Sequence, residues 1–205
     1  KLLASRGAKV VVNDPGVSMA GDGNDIGPAQ QVVQEIISAG GKAVANTDSV
    51  ATPEGGEAII KAALDHYGRI DIVIHNAGIV RRAALKEMSY ADFESVLDVH
   101  LRGGFHVVRA AFPHMCEAGY GRIVLTASIN GLYGNRGVVN YSAAKAGLIG
   151  LSNVAAIEGE EYGVKSNIIL PGAVTRMAEG LDTSKYPPMD PELVAPAVAW
   201  MAHES

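Results

Sequence analysis

The sequence holds one cysteine, Cys116, which excludes a disulfide framework and any cysteine-based zinc or iron–sulfur site. A reducing compartment follows, so the cytoplasm is the expected location, and no metal is expected. Basic residues are in the minority, 17 against 22 acidic ones for a net charge of −5. Neither a nucleic-acid groove nor an anionic membrane surface is therefore expected as partner. No apolar run approaches the roughly 20 residues a helix needs to span a bilayer. What is present is 205 residues, 48% apolar and 19% charged, enough for one well-cored domain that needs neither disulfide nor metal. Glycine is in excess, at 24 residues and with no collagen-like period. Average usage of about 7% would give roughly 14. Glycine used this heavily in a compact domain points to tight turns and close backbone approaches.

The chain opens as the end of a helix (1–6), with Gly7 as a left-handed cap and the β-branched run Val10-Val11-Val12 as a strand buried on both faces. Residues 15–28 have loop composition, with Pro15, Gly16, Gly21, Gly23, Gly27 and Pro28. Apolar spacing predicts helices over 30–39, 57–67 and 140–160, and strands over 43–45, 70–75, 122–127 and 164–170. Ser89 with Asp92 is a helix-start signature, and one long helix is predicted from there to about residue 115 despite Gly103-Gly104. Asp190-Pro191 opens the last helix. Strands alternating with helices mean βαβ units, hence an α/β fold with a parallel sheet between helix layers. Residues 1–205 read as a single domain.

In an open parallel sheet the ligand lies outside the carboxyl ends of the strands. The candidate site is therefore Asn13-Asp14, Asp48-Ser49, Asn76-Ala77-Gly78, Ala127-Ser128 and Pro171-Gly172-Ala173. Asp14 has two readings of equal weight. An acidic side chain there hydrogen-bonds an adenosine ribose and repels a 2′-phosphate, which favours NAD over NADP, or it only initiates the Asp-Pro-Gly turn. Tyr141 and Lys145 stand one turn apart on a predicted helix, and Ser128 ends the preceding strand. A phenol with a pKa of about 10 is a poor base, but a neighbouring ammonium favours the phenolate, and Lys145 is spaced to supply one. Ser128 would hold a substrate oxygen while Tyr141 takes the alcohol proton. The bland alternative is a surface Tyr–Lys pair and a serine that merely closes a strand.

IDIVIHNAG, RIVLTAS, Tyr141-Ser142-Ala143-Ala144-Lys145 and Pro171-Gly172, in this order, resemble the short-chain dehydrogenase/reductase family. The resemblance runs through nearly the whole chain. It implies a Rossmann-type doubly wound parallel sheet in three α/β/α layers, a nicotinamide cofactor, and Ser128, Tyr141 and Lys145 as the catalytic set. Lys145 would also hold the nicotinamide ribose. By the same resemblance Asp48 and Ser49 touch the adenine, Asn76, Ala77 and Gly78 pass along the cofactor, and Ala173, Val174 and Thr175 cover the nicotinamide amide. VHLRGGF, LYGN, NYSAAKAGL and AIEG are similar to the (3R)-hydroxyacyl-CoA dehydrogenase domain of peroxisomal multifunctional enzymes and its bacterial relatives.

The expectation is therefore NAD-dependent oxidation of a secondary alcohol, with a 3-hydroxyacyl thioester as the substrate that the narrower resemblance implies. The alternatives are an NADPH-dependent 3-oxoacyl reductase and a non-catalytic cofactor-binding scaffold. Where most members carry asparagine in the long helix, this chain has His100, read either as a proton-relay participant or as a histidine packed in a helix kink. The family's Gly-rich turn and first strand are expected ahead of Lys1, and its last strand beyond Ser205. Arg81 and Arg82 are read as coenzyme A phosphate partners or as solvated arginines, and 178–190 lies where the family keeps its substrate lid. A homodimer or homotetramer, paired through the helices at about 89–115 and 140–160, is the expected assembly.

Overall fold

The computed structural model describes residues 1–16, 27–173 and 189–203, so Val174, Thr175 and most of the expected lid lie outside the described residues. Among the described residues the β-branched runs form five parallel strands in two ribbons. β1 (Lys9–Asn13) pairs with β2 (Lys42–Asn46), from Lys9 opposite Lys42 to Asn13 opposite Asn46. β3 (Ile72–His75), β4 (Gly121–Thr126) and β5 (Val164–Ile169) form the second ribbon in that order. β4 is central there and buried from Gly121 to Leu125, as a continuous apolar run requires.

Helices cover both faces. On one side α1 (Leu2–Ser5) and α2 (Gly27–Ser38) close a small core of Ala4, Val33, Ile36 and Ala43. On the other, α3 (Pro53–Tyr67), α5 (Gly103–Ala118) and α7 (Val139–Gly159) enclose the main core, which includes Val107, Met115, Ile123, Leu125 and Leu148. The result is the expected three-layer α/β/α arrangement. α8 (Ala195–Met201) is tied to β4 by the buried Arg122, which donates to the carbonyls of His203 (2.9 Å) and Gly163 (3.1 Å) and stacks on Tyr120.

Three local departures from the sequence pattern have physical causes. α3 begins a turn earlier than its apolar spacing suggests, because Thr52 caps it by accepting the Gly55 N–H (3.1 Å) and Pro53 occupies its first turn. The expected long helix is divided: α4 (Tyr90–Leu97) passes through a π-turn, Asp98–Arg102, into α5. The glycines that seemed out of place there are packing positions, since a Cβ on Gly103 would come 2.8 Å from Val50 Cγ2. Third, the glycine-rich connection after β4 contains a short helix, α6 (Ile129–Tyr133), capped by Ser128.

The tightest approach is at α3, where a Cβ on Gly55 would lie 1.8 Å from the Ser49 carbonyl oxygen. Backbone cannot yield as a side-chain tip can. Gly55→Ala is expected to destabilise the domain by about 3 kcal/mol, measured by urea unfolding.

Candidate active site

A cleft of about 1420 Å³ runs along the gap between β1 and β3, from Lys9 and Asp71 at the amino ends of the strands to their carboxyl ends. Asp14, Ser49, Asn76, Ala77, Gly78, His100, Ser128, Tyr141, Lys145 and Ala173 all line it. Val10 and Val11 of β1 and Ile72 and Val73 of β3 form its facing walls.

Lys145 is the most constrained group. Its side chain is 3% exposed, its Nζ donates to the Thr126 carbonyl at the end of β4, and Nζ stands 5.5 Å from the centre of the Tyr141 ring. Burial pushes the ammonium down to about 8. Three protons on Nζ and one protein acceptor among these contacts leave donors free to meet a ligand. Tyr141 lies one turn before it on α7, half-buried at the cleft.

Ser128 lines the same cleft and caps α6, which presses on α7. A Cβ on Gly131 would come 2.8 Å from the Ala146 nitrogen and 2.9 Å from the Lys145 carbonyl carbon, so only a glycine lets the two backbones meet at the Lys145 turn. Ser128 Oγ accepts the Asn130 N–H (3.2 Å), which leaves its own proton to donate.

At the other rim, Asp14 Oδ1 accepts the Gly16 N–H (2.8 Å). The turn reading is thus present, and the residue faces the cleft as well. Asp48 stands beside the cleft rather than in its lining, accepting from the Asn46 side chain (2.7 Å), while its own N–H donates to Asn46 Oδ1 (3.0 Å). Ser49, Asn76, Ala77, Gly78 and Ala173 are strand-end residues in the lining, as their positions led us to expect.

His100 lies in the π-turn and is 1% exposed. Its Nε2 is 3.1 Å from the Ile79 nitrogen and 2.9 Å from the Ile79 oxygen, and its ring meets Tyr141 edge to face, with centroids 5.2 Å apart. The packed reading of His100 matches its burial in the π-turn, and its ring also touches the candidate base. Burial, with Lys145's charge added, pushes it down to about 3, and burial is likewise the main cause that takes His75 down to about 4.

Two contributors escape sequence reasoning. Asn140, fully buried, donates from Nδ2 to the carbonyls of Arg81 (3.0 Å) and Asp92 (3.1 Å) and accepts the Tyr141 N–H at Oδ1 (2.8 Å). It fastens the loop after β3 and α4 to the turn that carries Tyr141. His75 ends β3 with Nε2 2.9 Å from the His100 carbonyl. A polar residue next to each motif was the only available signal, and composition does not distinguish it from a solvated side chain.

The parallel α/β/α domain belongs to the short chain dehydrogenase family, a class of oxidoreductase, whose pattern it matches over residues 1–185. More particularly, it is 48% identical over 203 residues to a protein of Mycobacterium tuberculosis named as a short-chain type dehydrogenase/reductase, covering 98% of this chain and 71% of that one. It is 49% identical over 205 residues to the peroxisomal multifunctional enzyme type 2 of Drosophila melanogaster, covering 100% of this chain but 34% of that protein. A crystal structure of a short chain dehydrogenase from Mycobacterium avium superposes with a TM-score of 0.85 at 40% identity, over 99% of this chain and 72% of that one.

Asn140→Ala strands two buried carbonyls and frees the Tyr141 amide, and is expected to cost about 3 kcal/mol in urea unfolding. The two histidines predict a pH dependence. Both rings stay neutral in the folded chain, whereas an unfolded histidine takes up a proton at about pH 6.5. The unfolded state therefore binds more protons below that pH, and stability falls as pH drops from about 6.5 towards 4. Unfolding free energies from urea titrations at pH 7 and pH 5 should differ by roughly 2 kcal/mol for each histidine, with the lower pH less stable.

Proposed function

We propose that the chain oxidises a secondary alcohol with NAD, and that the substrate class is a 3-hydroxyacyl thioester. The observation that carries the reading is the buried Lys145 ammonium, held by the Thr126 carbonyl and one turn from Tyr141 in a cleft that Ser128 also lines. A buried cation costs several kcal/mol unless it has a partner, and a merely structural helix has no reason to carry one at the mouth of a cleft.

The residues present fit a nicotinamide dinucleotide. Ala77, Gly78 and Ala173 leave the strand ends open to an extended ligand, Lys145 keeps free donors for a ribose, and Asp14 suits ribose hydroxyls while opposing a 2′-phosphate. When bound, the nicotinamide supplies the hydride acceptor. The protein does the rest. Ser128 donates its hydroxyl proton in a hydrogen bond to the substrate oxygen, Tyr141 takes the alcohol proton, and Lys145 sets a positive charge beside the phenol. Lys145 itself is 3% exposed, which limits water's access to that charge. The thioester class rests on the likeness of VHLRGGF, NYSAAKAGL and AIEG to (3R)-hydroxyacyl-CoA dehydrogenase domains, and this chain spans about a third of the length of the Drosophila relative. A single cysteine suits a reducing compartment such as the cytoplasm, while the Drosophila relative is named as peroxisomal.

The same reading includes self-association through α5 and α7, where Phe105, Val154 and Ile157 leave apolar side chains on the surface, Ile157 at 74% exposure. Ile157→Glu should shift the full-length protein towards monomer in sedimentation velocity. An unchanged sedimentation coefficient removes the α7 face from the assembly.

In the full-length protein, Tyr141→Phe should lower turnover of a 3-hydroxyacyl thioester by about 10³-fold with NAD binding retained in a fluorescence titration. Wild-type turnover in that variant would sink the mechanism. Asp14→Ala should raise kcat/KM with NADP relative to NAD by about tenfold. A wild-type protein that already prefers NADPH would overturn the role given to Asp14.

A further inference from the structure

We propose that His75 is a positioning residue: its Nε2–H, bonded to the His100 carbonyl at the π-turn, holds the His100 ring against Tyr141 and so sets where the phenol stands in the cleft. The direction of the bond is not in doubt chemically. A carbonyl can only accept, so at 2.9 Å the proton must sit on His75 Nε2. His75 is itself 3% exposed at the end of β3, on a rigid strand paired to the central β4.

The arrangement is built around two rings in a space cleared by glycine. A Cβ on Gly104 would come 3.2 Å from His75 Cδ2 and 3.4 Å from its Nε2, and one on Gly78 would come 2.4 Å from His100 Cε1. At Gly104 an added side chain would meet Leu148 Cδ2 first, at 2.7 Å, whereas one at Gly78 would displace the His100 ring. The π-turn is what carries His100 to this point, and such turns inside α-helices recur at functional sites. From there the ring is secured to Ile79 on the loop after β3, and its edge rests on Tyr141. A continuous path of contacts thus runs from the end of β3, through the His75 imidazole and the π-turn, to the candidate base. The charged group facing this pair is Lys145 on α7, which favours neutral rings in both. A neutral His75 keeps its donor while adding no second positive charge to the site.

The inference rests on Tyr141 acting as the general base, and the two can be tested apart in the full-length protein. His75→Leu removes the donor and keeps the bulk. It should lower kcat on the order of 10²-fold while KM for NAD stays near wild type, since a displaced reacting group costs rate rather than cofactor affinity. His75→Gln, whose amide reaches the place of Nε2, should restore most of that loss. Wild-type kcat in His75→Leu, or equal losses in both variants, overturns the proposal. Should the leucine variant fail to fold, imidazole nitrogen shifts of the unmodified protein at pH 7.5 decide: the neutral Nε2–H form supports the clamp, and the Nδ1–H or cationic form refutes it. If the reading of Tyr141 fails instead, Tyr141→Phe will still turn over while the His75 resonances remain those of the Nε2–H form.

Discussion

The bond from the Lys145 ammonium to the Thr126 carbonyl is the constraint around which the cleft is organised. A primary ammonium nine-tenths or more out of water costs several kcal/mol if left alone, so α7 must lie where its second turn can reach the last carbonyl of β4. That single requirement orients the helix. Tyr141, one turn earlier, is then carried to the cleft, and Gly131 lets α6 close on the same turn so that Ser128 faces it. Asn140 completes the assembly by tying the start of α7 to α4 and to the loop after β3.

The glycine excess takes on a more specific meaning in this frame. Composition suggested close backbone approaches, and Gly55, Gly56, Gly103, Gly104 and Gly131 bring protein backbone and side chains close to one another. Gly56 meets His106 on α5, and Gly104 meets Leu148 on α7. Interior density comparable to an organic crystal requires such positions wherever helices pack nearer than a methyl group allows. Gly78 is the intermediate case, lining the cleft on one side and making room for His100 on the other.

Much of the architecture was legible in the chain. The strand at Ile123–Leu125 announced itself as a continuous apolar run, because a strand buried on both faces has no polar positions to alternate. Val10–Val12 form a strand as expected but are half-buried rather than buried on both faces, and β5 alternates exposed Lys165 and Asn167 with less exposed neighbours. Gly7, Gly40 and Gly68 closed their helices with φ of 95°, 82° and 77°, as left-handed caps do. Ser128, Tyr141 and Lys145 were legible for a different reason: their spacing matched a family in which order along the chain is retained. The π-turn was not legible, since one extra residue in a helical turn leaves no periodicity to detect. Nor was α6, whose five residues are too few to show a face.

The sequence by itself determined the parallel α/β class, the caps and the types of side chain at each strand end, because these follow from local propensity and from burial pattern. Only the tertiary structure decided that Asp48 stands aside from the cleft while Asp14 both closes its turn and faces inward. It alone decided that His75, written as the last letter of a strand, donates to a carbonyl on a distant helix. Such contacts join residues far apart in the chain, and their existence depends on how closely two backbones approach. That distance is a property of the packed core, to which every helix contributes and which no single segment contains.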